Sequence, residues 1–252
     1  MPLINFALKY PDVIEPFGTL PGQTMHWFGL TDGTYWLELG EVNLYEYAPS
    51  FLTTGDGSAS TCADYYLIRF IEDFTDLFAR ISDCIPDDLY AIARNYATLR
   101  NFRDAATTWL DEVGDDDSDA ANARFKQYNR LTEWIHRREL TAGYLVGGPS
   151  VAFFRSDDNL SIVWKADQTT EDNLPLWTAQ TGQIEMTFAE FVEQVADFGN
   201  RFFLAMDEQV QTAVSRNWGS IQLDKTQLIE EQQERKTQFS QDLNRLKKKP
   251  VE

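Results

Sequence analysis

Gln183–Val210, QIEMTFAEFVEQVADFGNRFFLAMDEQV, contains both kinds of structure from which this chain is built. QIEMT alternates polar and apolar side chains, the period of a half-buried strand. From Phe188 the period lengthens: Phe188, Phe191, Val192, Val195, Phe198, Phe202, Met206 and Val210 trace one apolar stripe, which predicts an amphipathic helix over 188–214. Thr187 stands three residues before Glu190 and makes a capping box with it, each side chain satisfying one orphan amide of the first turn.

Upstream of this junction the strand pattern recurs. SVAFFR and LSIVWKA flank Ser156-Asp157-Asp158-Asn159 as a hairpin, and PLWTAQ with QIEMT flank Thr181-Gly182 as another, giving strands over 149–187. The N-terminal 3–48 reads likewise as strands: INFALKY, HWFGLT, TYWLEL and VNLYEYA, rich in aromatic and branched side chains. Asp32-Gly33 reads as the two-residue turn of a tight hairpin, because glycine supplies positive φ without steric cost.

Between the strand regions lies a helical block over 63–140. Tyr66, Phe70, Phe74, Leu77, Phe78 and Ile81 recur at spacings of three and four, predicting a helix from Ala63 to about Cys84. Pro86 ends it and opens a short helix through Leu89 and Ile92. A third helical piece covers 105–113, and a fourth, from Ala120 to Leu140, places Phe125, Tyr128, Leu131, Trp134 and Ile135 on one side. The expected class is α+β: antiparallel hairpins at the N-terminus and centre, an inserted helical block and a long amphipathic helix. This makes a single body over 1–216. Residues 217–252 form a polar helical extension with sparse apolar positions at Leu228, Phe239, Leu243 and Leu246, expected to project, dock lightly or pair with another chain through 221–249.

Charge narrows the function. The chain carries a net −18, yet residues 1–216 hold 15 Lys/Arg against 34 Asp/Glu while the last 36 residues are nearly balanced, at 7 against 6. A body so negative repels nucleic acid and anionic membrane and attracts basic surfaces. With 43% apolar and 13% aromatic residues it can still bury a large core. The opening MPLINFALKYPDVIEPF lacks the basic and apolar regions of a signal peptide, no window reaches the ~18 apolar residues of a membrane helix, and only Cys62 and Cys84 occur, so a cytoplasmic protein with reduced thiols is expected.

The run His26-Trp-Phe-Gly-Leu-Thr-Asp-Gly-Thr-Tyr-Trp36 resembles the opening signature of a bacterial family of uncharacterised proteins, a domain of unknown function, often reading W-F-G-L-T-D-G-x-Y-W. Later landmarks are similar: Asp64 to Asp73, His136 through Gly143-Tyr144-Leu145 to Pro149, Phe154-Arg155 leading to Val163-Trp164, and Phe188 to Met206-Asp207. The resemblance spans roughly residues 3 to 212, leaves the polar C-terminal helix outside, and implies no nameable activity. By analogy alone, small acidic bacterial proteins encoded beside toxins act as immunity partners.

The candidate site residues follow from charge and type. Asp111, Glu112, Asp115, Asp116, Asp117 and Asp119 form an acidic run suited to docking a basic surface, although blocks of like charge also serve as solvated loops. The D-x-D-x-D-G order of a calcium loop is missing, two histidines are too few for a His-rich centre, and no metal or cofactor is expected. Trp27, Asp32, Gly33, Trp36, Arg155 and Trp164 read as signature positions with mainly structural roles. His136 is the one conceivable general base, without a G-x-S-x-G, H-E-x-x-H, phosphate loop or G-x-G-x-x-G to accompany it. The leading expectation is an immunity or antitoxin-type protein that blocks a basic toxin, with that toxin encoded by the neighbouring gene. A hydrolase-like enzyme using His136 and nearby carboxylates, of a kind that could reverse a toxin's modification, and a scaffold acting through the C-terminal helix are the alternatives.

Overall fold

The computed structural model describes residues 2–19, 21–52, 60–113 and 117–247. Two four-stranded antiparallel sheets form among them. The first comprises β1 (Ile4–Leu8), β2 (Asp32–Leu39), β3 (Val42–Leu44) and β4 (Ala63–Tyr66), with β2 at its centre. A short turn of helix, α1 (Pro49–Leu52), lies between β3 and β4. The second sheet runs in the order β5 (Glu139–Thr141), β6 (Ser150–Ser156), β7 (Asn159–Lys165) and β8 (Thr181–Thr187). The class is α+β, and the N-terminal and central strands do not share a sheet.

The helices cover the second sheet on both faces. α4 (Asp87–Ala93), α5 (Tyr96–Val113) and α6 (Asp119–His136) lie on one face, where Leu89, Leu99, Leu131 and Ile135 meet Ala152, Phe154 and Val163. The other face joins the main core with the first sheet, α2 (Leu67–Asp76), α3 (Phe78–Ser82), α7 (Phe188–Ser215) and α8 (Lys225–Leu246). Burial on both faces is why SVAFFR and NLSIVWK are almost continuously apolar and not alternating. The stripe on α7 is covered as its spacing predicts, and the Thr187–Glu190 capping box is formed.

Several local expectations are corrected. Asp32 and Gly33 are not a turn but the first two residues of β2, while HWFGLT is a turn and a short 3₁₀ segment, Gly29–Thr31. Gly33 faces Leu8 on one side and Tyr65 on the other, and a Cβ there would lie 2.4 Å from the Ala7 carbonyl oxygen. The glycine permits a close approach of strands, and the real turn is Gly40-Glu41, with Gly40 at φ 69°. Likewise Thr181-Gly182 opens β8, which pairs with β7 and not with PLWTAQ. There Gly182 makes room for the Trp164 ring, 2.5 Å from where its Cβ would be.

The helix expected from Ala63 begins at Leu67, because Ala63–Tyr66 pairs with β2 as β4, and it breaks at Leu77 between α2 and α3. The helix expected to reach Leu140 stops at His136, and Glu139–Thr141 joins the second sheet. Phe125, expected on the covered side of α6, is 46% exposed.

The polar helix α8 is seated on the body. Leu228, Phe239 and Leu246 are buried against α7, α3 and α2, and Phe239 packs on Phe203 at 5.6 Å over Gly199. Polar groups complete the seam. The fully buried Trp27 donates its indole N–H to Gln232 Oε1 at 2.7 Å, and Gln232 Nε2 donates to Asp207 at 2.6 Å. Glu72 on α2 accepts from Arg235 at 2.6 Å. A buried amide with both ends bonded holds two elements together without apolar area, so so polar a helix can still dock.

Candidate functional site

α5 and α6 form a pair whose far ends carry the acidic run. Its sequence positions give α5 an exposed last turn with Asp111 and Glu112, and Ser118 caps α6, its hydroxyl accepting from the Ala121 amide at 3.2 Å. Asp117 and Asp119 are exposed beside it, whereas Asp115 and Asp116 lie outside the described residues. Among the described residues Asp111, Glu112, Asp117 and Asp119 make no ion pair, unlike Asp88, which Arg130 engages at 2.9 Å.

Two of these carboxylates oppose their own helix. The last turn of a helix presents partly negative carbonyls and favours cations, yet that of α5 carries Asp111 and Glu112 and no basic residue. Asp119, in the first turn of α6, sits with its dipole. Aromatic groups stand behind the tip: Arg124 lies over the Trp109 ring at 5.3 Å, Phe125 follows it in the chain and is exposed, and a crevice of about 130 Å³ opens among Phe102, Trp109, Arg124 and Tyr128.

A cleft of about 230 Å³ lies between α5 and the second sheet, with Tyr96, Leu99, Ile135 and Val163 as its apolar lining. Its charges are mixed: Arg100 pairs with Asp104 at 3.5 Å and Lys165 with Asp167 at 3.7 Å, beside Arg103 and Glu139. Ser150 also lines the cleft, and among the described residues no hydrogen bond joins its hydroxyl to a carboxylate or histidine there. His136 is exposed at the C-terminal end of α6 and does not line this cleft, although its neighbours Ile135 and Glu139 do. Among the described residues no group of three or more His, Cys, Asp or Glu could hold a metal ion, and Cys62 and Cys84 are free thiols.

The signature residues occupy structural positions. Trp27 anchors α8, and Asp32 is bound by Lys9 at 3.0 Å, which also reaches Asp64 at 2.7 Å. Trp36 is half-buried on β2. Arg155 is buried: its guanidinium lies 3.8 Å over Phe188 and donates to the carbonyls of Ser82 and Asp157 at 2.7 and 2.8 Å. Trp164 joins the main core, its buried indole nitrogen without a hydrogen-bond partner among the described residues.

Two buried polar groupings were not singled out in the sequence. Arg138 is 2% exposed, stacks 4.0 Å over Trp134, and burial pulls its guanidinium down to about 10. Tyr35 and Tyr144 share a hydrogen bond of 3.0 Å beside the fully buried Tyr45, and burial raises all three phenols above their ordinary range. Tyr35 and Tyr144 come from segments far apart in sequence and leave no local signal, whereas Trp134 and Arg138 are four residues apart and only the burial of the charged group was hidden.

The model of a family described as a family of unknown function, DUF5984, matches residues 3–252, so the match takes in α8 as well as the residues before it. No curated protein and no solved structure matches the chain.

Proposed function

We infer for this chain, which belongs to the DUF5984 family of unknown function, a role as a cytoplasmic immunity or antitoxin-type protein that binds a basic toxin domain and occludes its active site. The observation that carries the reading is the acidic tip of α5 and α6, where Asp111, Glu112, Asp117 and Asp119 are exposed and, among the described residues, make no ion pair. Asp111 and Glu112 also oppose the helix dipole. A charge arrangement that costs the isolated fold stability is relieved when cations dock against it.

The mechanism follows from the surface. The field of a −18 chain speeds encounter with a positive partner, and the exposed Phe125 of α6 offers apolar contact that slows release. Inhibition is stoichiometric, because nothing in the interaction turns over. The exposure of His136 supplies no support for catalysis, and Leu228, Phe239 and Leu246 of α8 are already buried within the chain, so a scaffold acting through them would first have to undock the helix.

Mixing the purified chain with the product of the adjacent gene tests this reading. A one-to-one complex that weakens as salt rises supports it. Absence of a complex at both low and moderate salt, or inhibition that proceeds catalytically at a small fraction of the toxin concentration, removes it.

A further inference from the structure

β8 ends the second sheet, and its ladder shows which of its main-chain groups face outward. Immediately beyond its two ends, the Phe188 amide donates to the Asp158 carbonyl at 2.7 Å and the Ala166 amide to the Gln180 carbonyl at 2.5 Å. In an antiparallel pair the bonded positions alternate, so Gly182, Ile184 and Met186 exchange hydrogen bonds with Trp164, Ile162 and Leu160. The N–H and C=O groups of Gln183 and Glu185 therefore point away from β7. Among the described residues no neighbouring element bonds them, and an open groove of about 550 Å³ lies beside them against Arg94, Asn95 and Thr98. The Thr187 amide is already taken by Glu190 at 2.9 Å, and an edge strand whose outward main-chain groups at Gln183 and Glu185 are free is a template for another strand.

The side chains say what fits. Read outward from Ile184, the strand Thr-Gly-Gln-Ile-Glu-Met-Thr is nearly self-complementary. Placed against itself in antiparallel register about that residue, Thr181 faces Thr187, Gln183 faces Glu185, Gly182 faces Met186, and Ile184 meets its own copy. The outward groups of Gln183 and Glu185 meet one another, no carboxylate faces a carboxylate, and the half-buried Ile184 and Met186 gain cover. Sliding the register by two residues toward the C-terminus would oppose Glu185 to itself.

We propose that β8 pairs with the β8 of a second copy of this chain, joining the two central sheets into one continuous eight-stranded sheet. The pairing uses neither the acidic tip nor α8, and is independent of the inhibitor role. The net charge of each copy opposes it, so salt strengthens this association by screening, the opposite of its effect on a complex with a basic partner.

Sedimentation velocity on the full chain, over rising concentration and at two salt levels, tests the proposal. The expected species has twice the 29.0 kDa chain mass and grows with salt. Gln183→Pro and Glu185→Pro each delete one outward N–H without touching the ladder to β7, and each should sediment as a monomer. Gln183→Glu leaves the backbone intact and sets four carboxylates across the axis, raising the dissociation constant about tenfold or more. Amide exchange at Gln183 and Glu185 should slow as concentration rises, while Ile184 and Met186 stay slow throughout. A monomer under every condition overturns the proposal, as does a dimer that survives Gln183→Glu with the Gln183 and Glu185 amides unprotected.

Discussion

Replacing Phe239 by alanine tests whether α8 is an integral part of the body. The ring is 6% exposed and packs against Phe203 at 5.6 Å and Phe78 at 6.3 Å, and it fills the space left by the missing side chain of Gly199. Deleting a ring so enclosed costs about 3–5 kcal/mol, the lost transfer energy plus the cavity left behind. In a chain of this size each kcal/mol moves the melting midpoint by roughly 2–4 °C, so a fall on the order of 10 °C is expected. Gly199→Ala attacks the same contact from the other side, since its Cβ would stand 2.0 Å from the Phe239 ring, and should cost about 1–3 kcal/mol by overpacking. In the Phe239→Ala background that second cost should largely vanish, because the clash has gone. Thermal unfolding followed by circular dichroism measures all three variants. Midpoints within about 1 °C of the parent for both single substitutions would refute the docking, since a freely projecting helix would register neither change.

Neutralising the tip with Asp111→Asn and Glu112→Gln should raise stability by a few tenths to about 1 kcal/mol, because both charges oppose the dipole of α5. Chemical denaturation checks it, and a clear loss of stability would mean the tip is already compensated. Alkaline pH should destabilise the fold. Tyr35, Tyr45 and Tyr144 are held neutral by burial, whereas in the unfolded chain they ionise near pH 10, so their contribution is complete below about pH 10 and is lost as pH climbs beyond it. The loss is about 1.4 kcal/mol per pH unit for each such phenol; the lowered guanidinium of Arg138 acts in the opposite sense, one group against three. Phenolate absorbance should show these three of the ten tyrosines titrating only with unfolding, and all ten ionising near pH 10 with the fold intact would contradict it. His136→Ala should leave the melting midpoint within about 1 °C and partner binding unchanged, since the side chain is exposed. Loss of a hydrolytic activity in that variant would move the account to catalysis.

What the sequence made legible was periodic and local. The capping box at Thr187, the stripe of α7 and the hairpin through Asp157-Asp158 each depend on residues a few positions apart. Asp32-Gly33 and Thr181-Gly182 misled for a shared reason. A glycine next to a polar residue marks a turn, but it equally marks a place where another group must come close, and the carbonyl of Ala7 or the ring of Trp164 is invisible in local sequence. The docking of α8 was hidden because Gln232 and Asp207 contribute through hydrogen bonds, which a count of apolar positions does not register. At the site, the acidic run was plain, but the conflict of Asp111 and Glu112 with α5 needed the end of that helix to be placed. His136 was found by type alone, and its exposure depended on where α6 stopped.

The most direct test is a calorimetric titration of the adjacent gene's product into the parent chain and into a variant carrying Asp111→Asn, Glu112→Gln, Asp117→Asn and Asp119→Asn. The parent should bind at one-to-one stoichiometry, and the variant, equally folded, about tenfold or more weaker with a shallower dependence on salt. Equal affinity and equal salt dependence for the two proteins would contradict recognition through this tip.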